Sequence, residues 1–263
     1  MPHNRLIARL DIKAPNLIKG IHLEGLRKLG DPNVFARRYY NEGIDELLYM
    51  DCVASLYERN SLTEIIQYTA QNIFIPFTVG GGIRSVNDVE TILRAGADKV
   101  AINTAAVRRP ELISEVVRRF GSQCLVLSIE AKQSRNSSEW EAYTDNGREH
   151  TGLNVIDWAK QATELGVGEI LITSVDQEGT RKGQDTHLIA AVSSAVSVPV
   201  IASGGVGQPQ HVGDALAAGA DAIAIADALH YERFSLQQFQ QAVHNAGGTV
   251  RNPLTNEDIR EAC

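Results

Sequence analysis

Short apolar runs alternate with amphipathic stretches about eight times along this chain. Arg5–Ile12 alternates in hydropathy and reads as a strand with Asp11 near its end. Glu46–Cys52, Gln123–Ala131 and Glu169–Ser174 read as further strands, the first of them ending at Asp51. Between the strands, Asp31-Pro32 opens a helix that runs to Gly43, with Asp as N-cap and Pro in the first turn. Further helices are expected over Ser61–Gln71, from Arg109-Pro110 to near Gly121, over Leu153–Gly166 and from about Ser235 to Ala246. Lys13–Gly30 is too long for a minimal turn and reads as a mobile loop. Gln133–Gly147 reads as a polar hairpin or loop, and Asp176–Asp185 as a glycine-containing loop.

The pattern repeats. Ile75–Ala106, IPFTVGGGIRSVNDVETILRAGADKVAINTAA, returns 123 residues later as Val198–Leu229, VPVIASGGVGQPQHVGDALAAGADAIAIADAL. In register, Gly81 falls on Gly204, Gly82 on Gly205, Gly96 on Gly219 and Asp98 on Asp221. Each copy reads as strand, glycine turn, amphipathic helix and second strand, a βαβ unit whose parallel strands need the crossover helix. The match extends outward, Gly43-Ile44-Asp45-Glu46 falling on Gly166-Val167-Gly168-Glu169. Two equivalent halves of alternating βα units predict a (β/α)8 TIM barrel. The expected domain is 1–250, with half-barrels of about 1–122 and 123–250 and a tail over 251–263. An open doubly wound sheet would lack the half-and-half symmetry.

Composition narrows the function classes. At 263 residues and 43% hydrophobic the chain is long enough for one large core. A net charge of −7 gives no global basic field for nucleic acid. No apolar run approaches membrane-spanning length, and MPHNRLIARLDIK has no signal-like apolar stretch, so no membrane association and a cytoplasmic location are expected. Cys52, Cys124 and Cys263 show no metal or disulfide spacing, and the seven histidines are scattered. No metal and no nicotinamide or flavin cofactor is expected.

In a barrel the reactive groups project from the C-terminal ends of the strands. Asp11 on the first strand and Glu130 on the fifth would face each other across the mouth, suited to acid–base work if their environments separate their proton affinities. Taken singly, such acids more often cap turns or pair with lysines. Gly81 with Gly82 and Gly204 with Gly205 make two candidate anion cradles, because backbone N–H groups can approach a ligand closely there. A substrate with a phosphate at each end would fit, although tight strand-to-helix turns also explain the glycines. Asn103 and Thr104 could add donors to the first cradle. At the opposite end, Arg5, Glu46, Lys99 and Glu169 begin strands, and a ring of paired or solvated charges is their plain reading.

The motifs FTVGGGIRS, GADKVAINTAAV, RFGSQC, GEILITS, VIASGGVG and GADA, in this order, resemble the cyclase subunit of imidazole glycerol phosphate synthase over roughly residues 4–250. The resemblance implies a barrel that forms a heterodimer with a glutaminase subunit at its N-terminal face. Ammonia would pass up through the barrel to a bis-phosphorylated ribulosyl-formimino-aminoimidazole carboxamide nucleotide, a phosphorylated small molecule, in histidine biosynthesis. It assigns Asp11 to one catalytic carboxylate and the Arg5, Glu46, Lys99 and Glu169 positions to a charged gate. Asp98 and Gln123 fall at the partner-facing end, and Lys19 on a lysine of a mobile loop that closes over substrate.

The departures lie at the mouth. Glu130 stands where the family has Asp, Arg9 where it has Cys, and Ala14-Pro15-Asn16 where it has Asp-Gly-Arg. Glu178-Gly179-Thr180 replaces Asp-Gly-Thr, and Asp227 replaces a serine that donates to the second phosphate. An ionised Asp cannot donate and repels a dianion. These changes keep two other readings open: a paralogue delivering ammonia to another acceptor, such as a surface-polysaccharide sugar, and a non-catalytic partner that activates a glutaminase.

Overall fold

The computed structural model describes residues 4–52, 62–134 and 138–250. The expected helix start at Ser61 and the tail over 251–263 lie outside the described residues. In chain order the elements are β1 (Arg5–Lys13), β2 (Asn16–Ile21), β3 (Glu24–Gly30), α1 (Pro32–Glu42), β4 (Glu46–Asp51), α2 (Thr63–Asn72), β5 (Phe77–Gly80), α3 (Val86–Ala95), β6 (Lys99–Ile102), α4 (Thr104–Arg108) and α5 (Glu111–Phe120). A short 3-10 turn, Ser122–Cys124, leads into β7 (Leu125–Gln133), β8 (Trp140–Thr144), β9 (Glu149–Asn154), α6 (Val155–Glu164), β10 (Glu169–Ser174), α7 (Thr186–Ala195), β11 (Val200–Ser203), α8 (Gln210–Ala217), β12 (Ala222–Ile225), α9 (Asp227–His230) and α10 (Leu236–Asn245).

Eight strands close on themselves in parallel, in the order β1, β4, β5, β6, β7, β10, β11, β12 and back to β1. This is the expected (β/α)8 barrel. β1 and β7 stand four places apart either way round, hence opposite each other. Most of the core lies between strands and helices, where Tyr39, Trp158 and Phe239 are fully buried. A second, smaller cluster fills the lumen, with Ile7, Leu48, Val126, Leu171 and Ile201 pointing inward past small alanines.

The helix ends follow local chemistry. Asp31 caps α1 by accepting from the Asn33 amide, and Gly43 closes it in the left-handed conformation. Ser85 and Asp88 form a capping box at the start of α3, as Ser235 and Gln238 do for α10. The repeat has a structural reason too. Asp98 accepts from the Phe77 amide at 2.9 Å, and Asp221 from the Val200 amide at 2.8 Å, each acid satisfying the start of a neighbouring strand. Gly81 and Gly204 share a φ of 98°. A Cβ on Gly81 would lie 2.3 Å from the Asp51 carbonyl, and one on Gly204 2.7 Å from that of Ser174. Only glycine fits either turn.

The expected mobile loop over Lys13–Gly30 is instead an ordered hairpin. β2 pairs antiparallel with β1 through the two-residue turn Ala14-Pro15, and β3 pairs with β2. His22 and Leu23 turn the hairpin with φ of 52° and 63°, a left-handed pair without glycine. The polar segment after β7 is also a hairpin, reaching Asn154, so α6 starts two residues later than the sequence predicts.

Candidate active site at the barrel mouth

Asp11 and Glu130 come from opposite strands and are 3% and 7% exposed. Their surroundings differ sharply. Arg9 Nε donates to Asp11 Oδ1 at 2.9 Å, and Lys19 Nζ lies 3.7 Å from Oδ2. Burial opposes the Asp11 charge, but Arg9 and then Lys19 outweigh it and hold the carboxyl below the ordinary aspartate range. Glu130 has one close donor, the Gly147 amide 2.8 Å from Oε2. Burial pushes its pKa up to about 7, against the pull of that amide and of the Arg9 charge. The pair is thus split as an acid–base pair needs to be: one carboxylate ionised, one half-protonated near neutrality.

Lys19 corrects the loop expectation a second time. It sits on β2, 4% exposed, with its ammonium bonded to Glu178 and paired with Asp11. Arg9, Asp11, Lys19 and Glu178 form one buried cluster of two cations and two anions, in which each charge offsets its neighbours. Arg9 also donates through Nη1 to Thr173 Oγ1 at 2.9 Å and Ser203 Oγ at 3.0 Å. Its place follows from the inward alternation of β1, in which Arg5, Ile7, Arg9 and Asp11 share a face. That alternation brings Arg9 to the mouth, where the sequence departures already place it, and gives it the face that Asp11 shares.

A cavity of about 400 Å³ opens beside Glu130. Gly81, Gly82, Asn103 and Thr104 line it, as the first cradle requires, and it reaches down to Ala101 and Ser128. Asn103 also ties the cradle to the β8 hairpin, its Nδ2 donating to the Tyr143 carbonyl at 3.1 Å. Arg84, Arg108 and Arg109 line the same cavity and add the positive charge an anion needs. The sequence analysis did not assign them a role, although Arg84 lies within FTVGGGIRS and Arg108 and Arg109 directly follow GADKVAINTAAV.

The second half of the mouth is built differently. Gly205 lies under the loop after β10, where a Cβ would stand 2.0 Å from the Gly183 carbonyl. Gly183 in turn donates its amide to the Gly205 carbonyl at 2.9 Å. The cavity on this side, about 520 Å³, is lined by Lys19, Arg27, Gly179, Arg181, Asp227 and Arg233, not by Gly204 and Gly205. Asp227 accepts from Arg233 Nε at 2.9 Å, so its charge is partly neutralised. Thr180 spends its hydroxyl on the Gln177 carbonyl at 2.8 Å.

At the opposite end the four strand-start charges close into a ring. Arg5 reaches Glu46 at 2.7 Å and Glu169 at 3.0 Å, while Lys99 reaches the same two acids at 3.0 and 3.1 Å. Thr78 adds a hydrogen bond to Glu46 at 2.9 Å. Asp98 and Gln123 are exposed near this end. Among the described residues no group of three His, Cys, Asp or Glu side chains is placed to hold a metal. No helix among them is long and apolar enough to cross a membrane.

Fold and mouth together define a (β/α)8 barrel with a split carboxylate pair beside a cavity lined by a glycine turn and three arginines. The chain belongs to the histidine biosynthesis protein family, whose model matches residues 5–235. A Legionella pneumophila protein named imidazole glycerol phosphate synthase subunit HisF is 67% identical over 208 residues, 79% of this chain and 98% of the relative. Proteins of the same name from Mycobacteroides abscessus and an Arthrobacter species are each 48% identical, over 252 and 253 residues, 94% of this chain and 98% of theirs.

Proposed function

We propose that this chain is the cyclase subunit of imidazole glycerol phosphate synthase. It would use ammonia to convert the bis-phosphorylated ribulosyl-formimino-aminoimidazole carboxamide nucleotide to imidazole glycerol phosphate and aminoimidazole carboxamide ribotide. Family membership and the shared name of three relatives support the activity. They do not favour a paralogue with another acceptor or a non-catalytic activator. The structural observation that carries the reading is the split pair, Asp11 ionised and Glu130 near half-protonation, on facing strands above a common lumen.

Adding ammonia to the substrate and closing the imidazole ring require protons to be delivered and removed at the reacting atoms. Glu130 is suited to both at neutral pH, because its proton is neither held nor lost outright. Asp11, fixed as an anion, can stabilise positive charge as the nitrogen adds. One substrate phosphate is assigned to the Gly81–Gly82 turn with Asn103 and Thr104. The other is assigned to the basic cavity at Arg181, Arg233 and Lys19, flanked by Gly179, Thr180, Gly204, Gly205 and Asp227. The ring of Arg5, Glu46, Lys99 and Glu169 is assigned to ammonia entry. The surface around it, with Asp98 and Gln123, is assigned to a glutaminase subunit, consistent with relatives that are themselves named as subunits.

The test supplies purified protein with the bis-phosphorylated substrate and ammonium chloride at mildly alkaline pH, and follows the absorbance change. Turnover that disappears in Asp11→Asn is expected. A folded wild-type protein that shows none would refute the proposal.

A further inference from the structure

Arg9 is 4% exposed and occupies the third inward position of β1, between the apolar lumen layer of Ile7 and the mouth carboxylate Asp11. A guanidinium at such depth is costly unless it is paired, and here every observed bond serves the mouth. Nε holds Asp11, and Nη1 reaches hydroxyls on β10 and β11. Those two tethers draw the head group from β1 toward the β10–β11 wall and fix its direction.

The two mouth carboxylates are therefore served unequally. Asp11 contacts two cations, and the second of them, Lys19, is shared with Glu178. Glu130 contacts none among the described residues: Oε2 accepts from a backbone amide, and Oε1 has no hydrogen bond there. Glu130 nevertheless lines the open cavity, where Asp11 does not. The charges facing Glu130 are Arg9 and Asp11 from β1 and Asp145 from the β8–β9 turn, with Asp51 at the end of β4 lining the same cavity. Glu149, Arg84, Arg108 and Arg109 line that cavity too, but Arg9 is the cation that is bonded to Asp11 and whose charge also acts on Glu130.

We propose that Arg9 is a positioning residue that decides which mouth carboxylate carries the mobile proton. Clamped to Asp11 and tethered to Thr173 and Ser203, it fixes Asp11 as the anion and leaves Glu130 to give and take the proton. Arg9 itself touches no reacting atom. The inference rests on the acid–base role assigned above to the pair, and it deepens that role.

The experiment reads the carboxylates directly, in the free protein and without substrate. Side-chain 13C carboxyl signals of Glu130 and Asp11 are titrated in wild type, Arg9→Met and Arg9→Lys. Met keeps the length and removes the charge, and Lys restores the charge without the fork. The Asp11 titration is expected to move up by about one unit or more in Arg9→Met, the shift an opposite charge at contact range produces, and the Glu130 titration by less, so that the gap between them narrows, and Arg9→Lys should restore part of it. If Arg9 only fills space, Arg9→Met lowers Tm with both titrations unmoved, and that result overturns the proposal. A second variant, Thr173→Ala with Ser203→Ala, covers the case in which Arg9→Met does not fold. It keeps the charge and the Nε contact with Asp11 but releases Nη1, so the gap between the two titrations should still change, and an unmoved gap overturns the proposal equally. The pH profile of ammonium-dependent turnover should follow Glu130 across the series. Wild type that titrates as expected without turnover would refute the cyclase reading and leave the Arg9 assignment standing.

Discussion

The backbone amide of Gly147 donates to Glu130 Oε2 at 2.8 Å, tying the acid on β7 to the turn of the hairpin that follows it. The bond is too weak to offset burial, and Glu130 remains a group that binds its proton more tightly folded than unfolded. A raised folded-state pKa stabilises the fold at low pH, and that stability is lost as pH rises. The window runs from the ordinary value of 4.5 to about 7. Glu130→Gln should therefore remove a pH-dependent loss on the order of 3 kcal/mol between those limits. Denaturant unfolding at pH 5 and pH 8 measures it. Equal pH dependence in wild type and variant would refute the raised affinity. Asp11 acts in the opposite sense, its contribution being present above the ordinary aspartate range and lost as pH falls below it.

Lys99 shares its ammonium between Glu46, 2% exposed, and Glu169. Lys99→Met leaves Arg5 as the one cation of the ring, with Thr78 still donating to Glu46, and we expect a loss of about 1–3 kcal/mol in unfolding free energy. In a complex with a glutaminase, the same variant should form less imidazole product per glutamine hydrolysed, while turnover with added ammonium chloride is retained. Unchanged stoichiometry would remove the ring from the path of ammonia.

Asp227 and Arg233 are paired beside the basic cavity. Asp227→Ser removes a carboxylate facing the assigned phosphate and releases Arg233, so substrate affinity should rise by about three- to tenfold at low salt and less at high salt. Calorimetric titration with the bis-phosphorylated substrate checks this. Weaker binding would place Asp227 among the groups that hold the ligand.

Gly179 turns with a φ of 72°, and a Cβ there would stand 2.5 Å from the Gly20 carbonyl of the hairpin. Gly179→Ala should push the loop after β10 away from β2 and disturb the Lys19–Glu178 contact. The expected result is a KM raised on the order of tenfold, from a misplacement of about 1 Å, with the barrel still folded. A variant with wild-type kinetics would show that the hairpin and the loop need not meet.

The barrel was legible because its determinants are local. Period-two apolar runs and Asp31 and Ser235 at helix starts each act within a few residues, and the repeat shows the same local unit twice, with Gly81 falling on Gly204. The hairpin over Lys13–Gly30 was not legible, since its turn uses His22 and Leu23 in place of the expected glycine. The two glycine pairs look equivalent in sequence and are not equivalent in space. The loop after β10 covers Gly205, whereas Gly82 stays open to the first cavity.

By itself the sequence determined the closed parallel barrel and the opposed positions of Asp11 and Glu130, because alternation and register follow from nearest neighbours along the chain. Only the tertiary structure decided how protons are shared between those two acids. Their affinities depend on Arg9, Lys19, Gly147 and the depth of burial, and those come from segments far apart in sequence whose fields combine only after the barrel has closed.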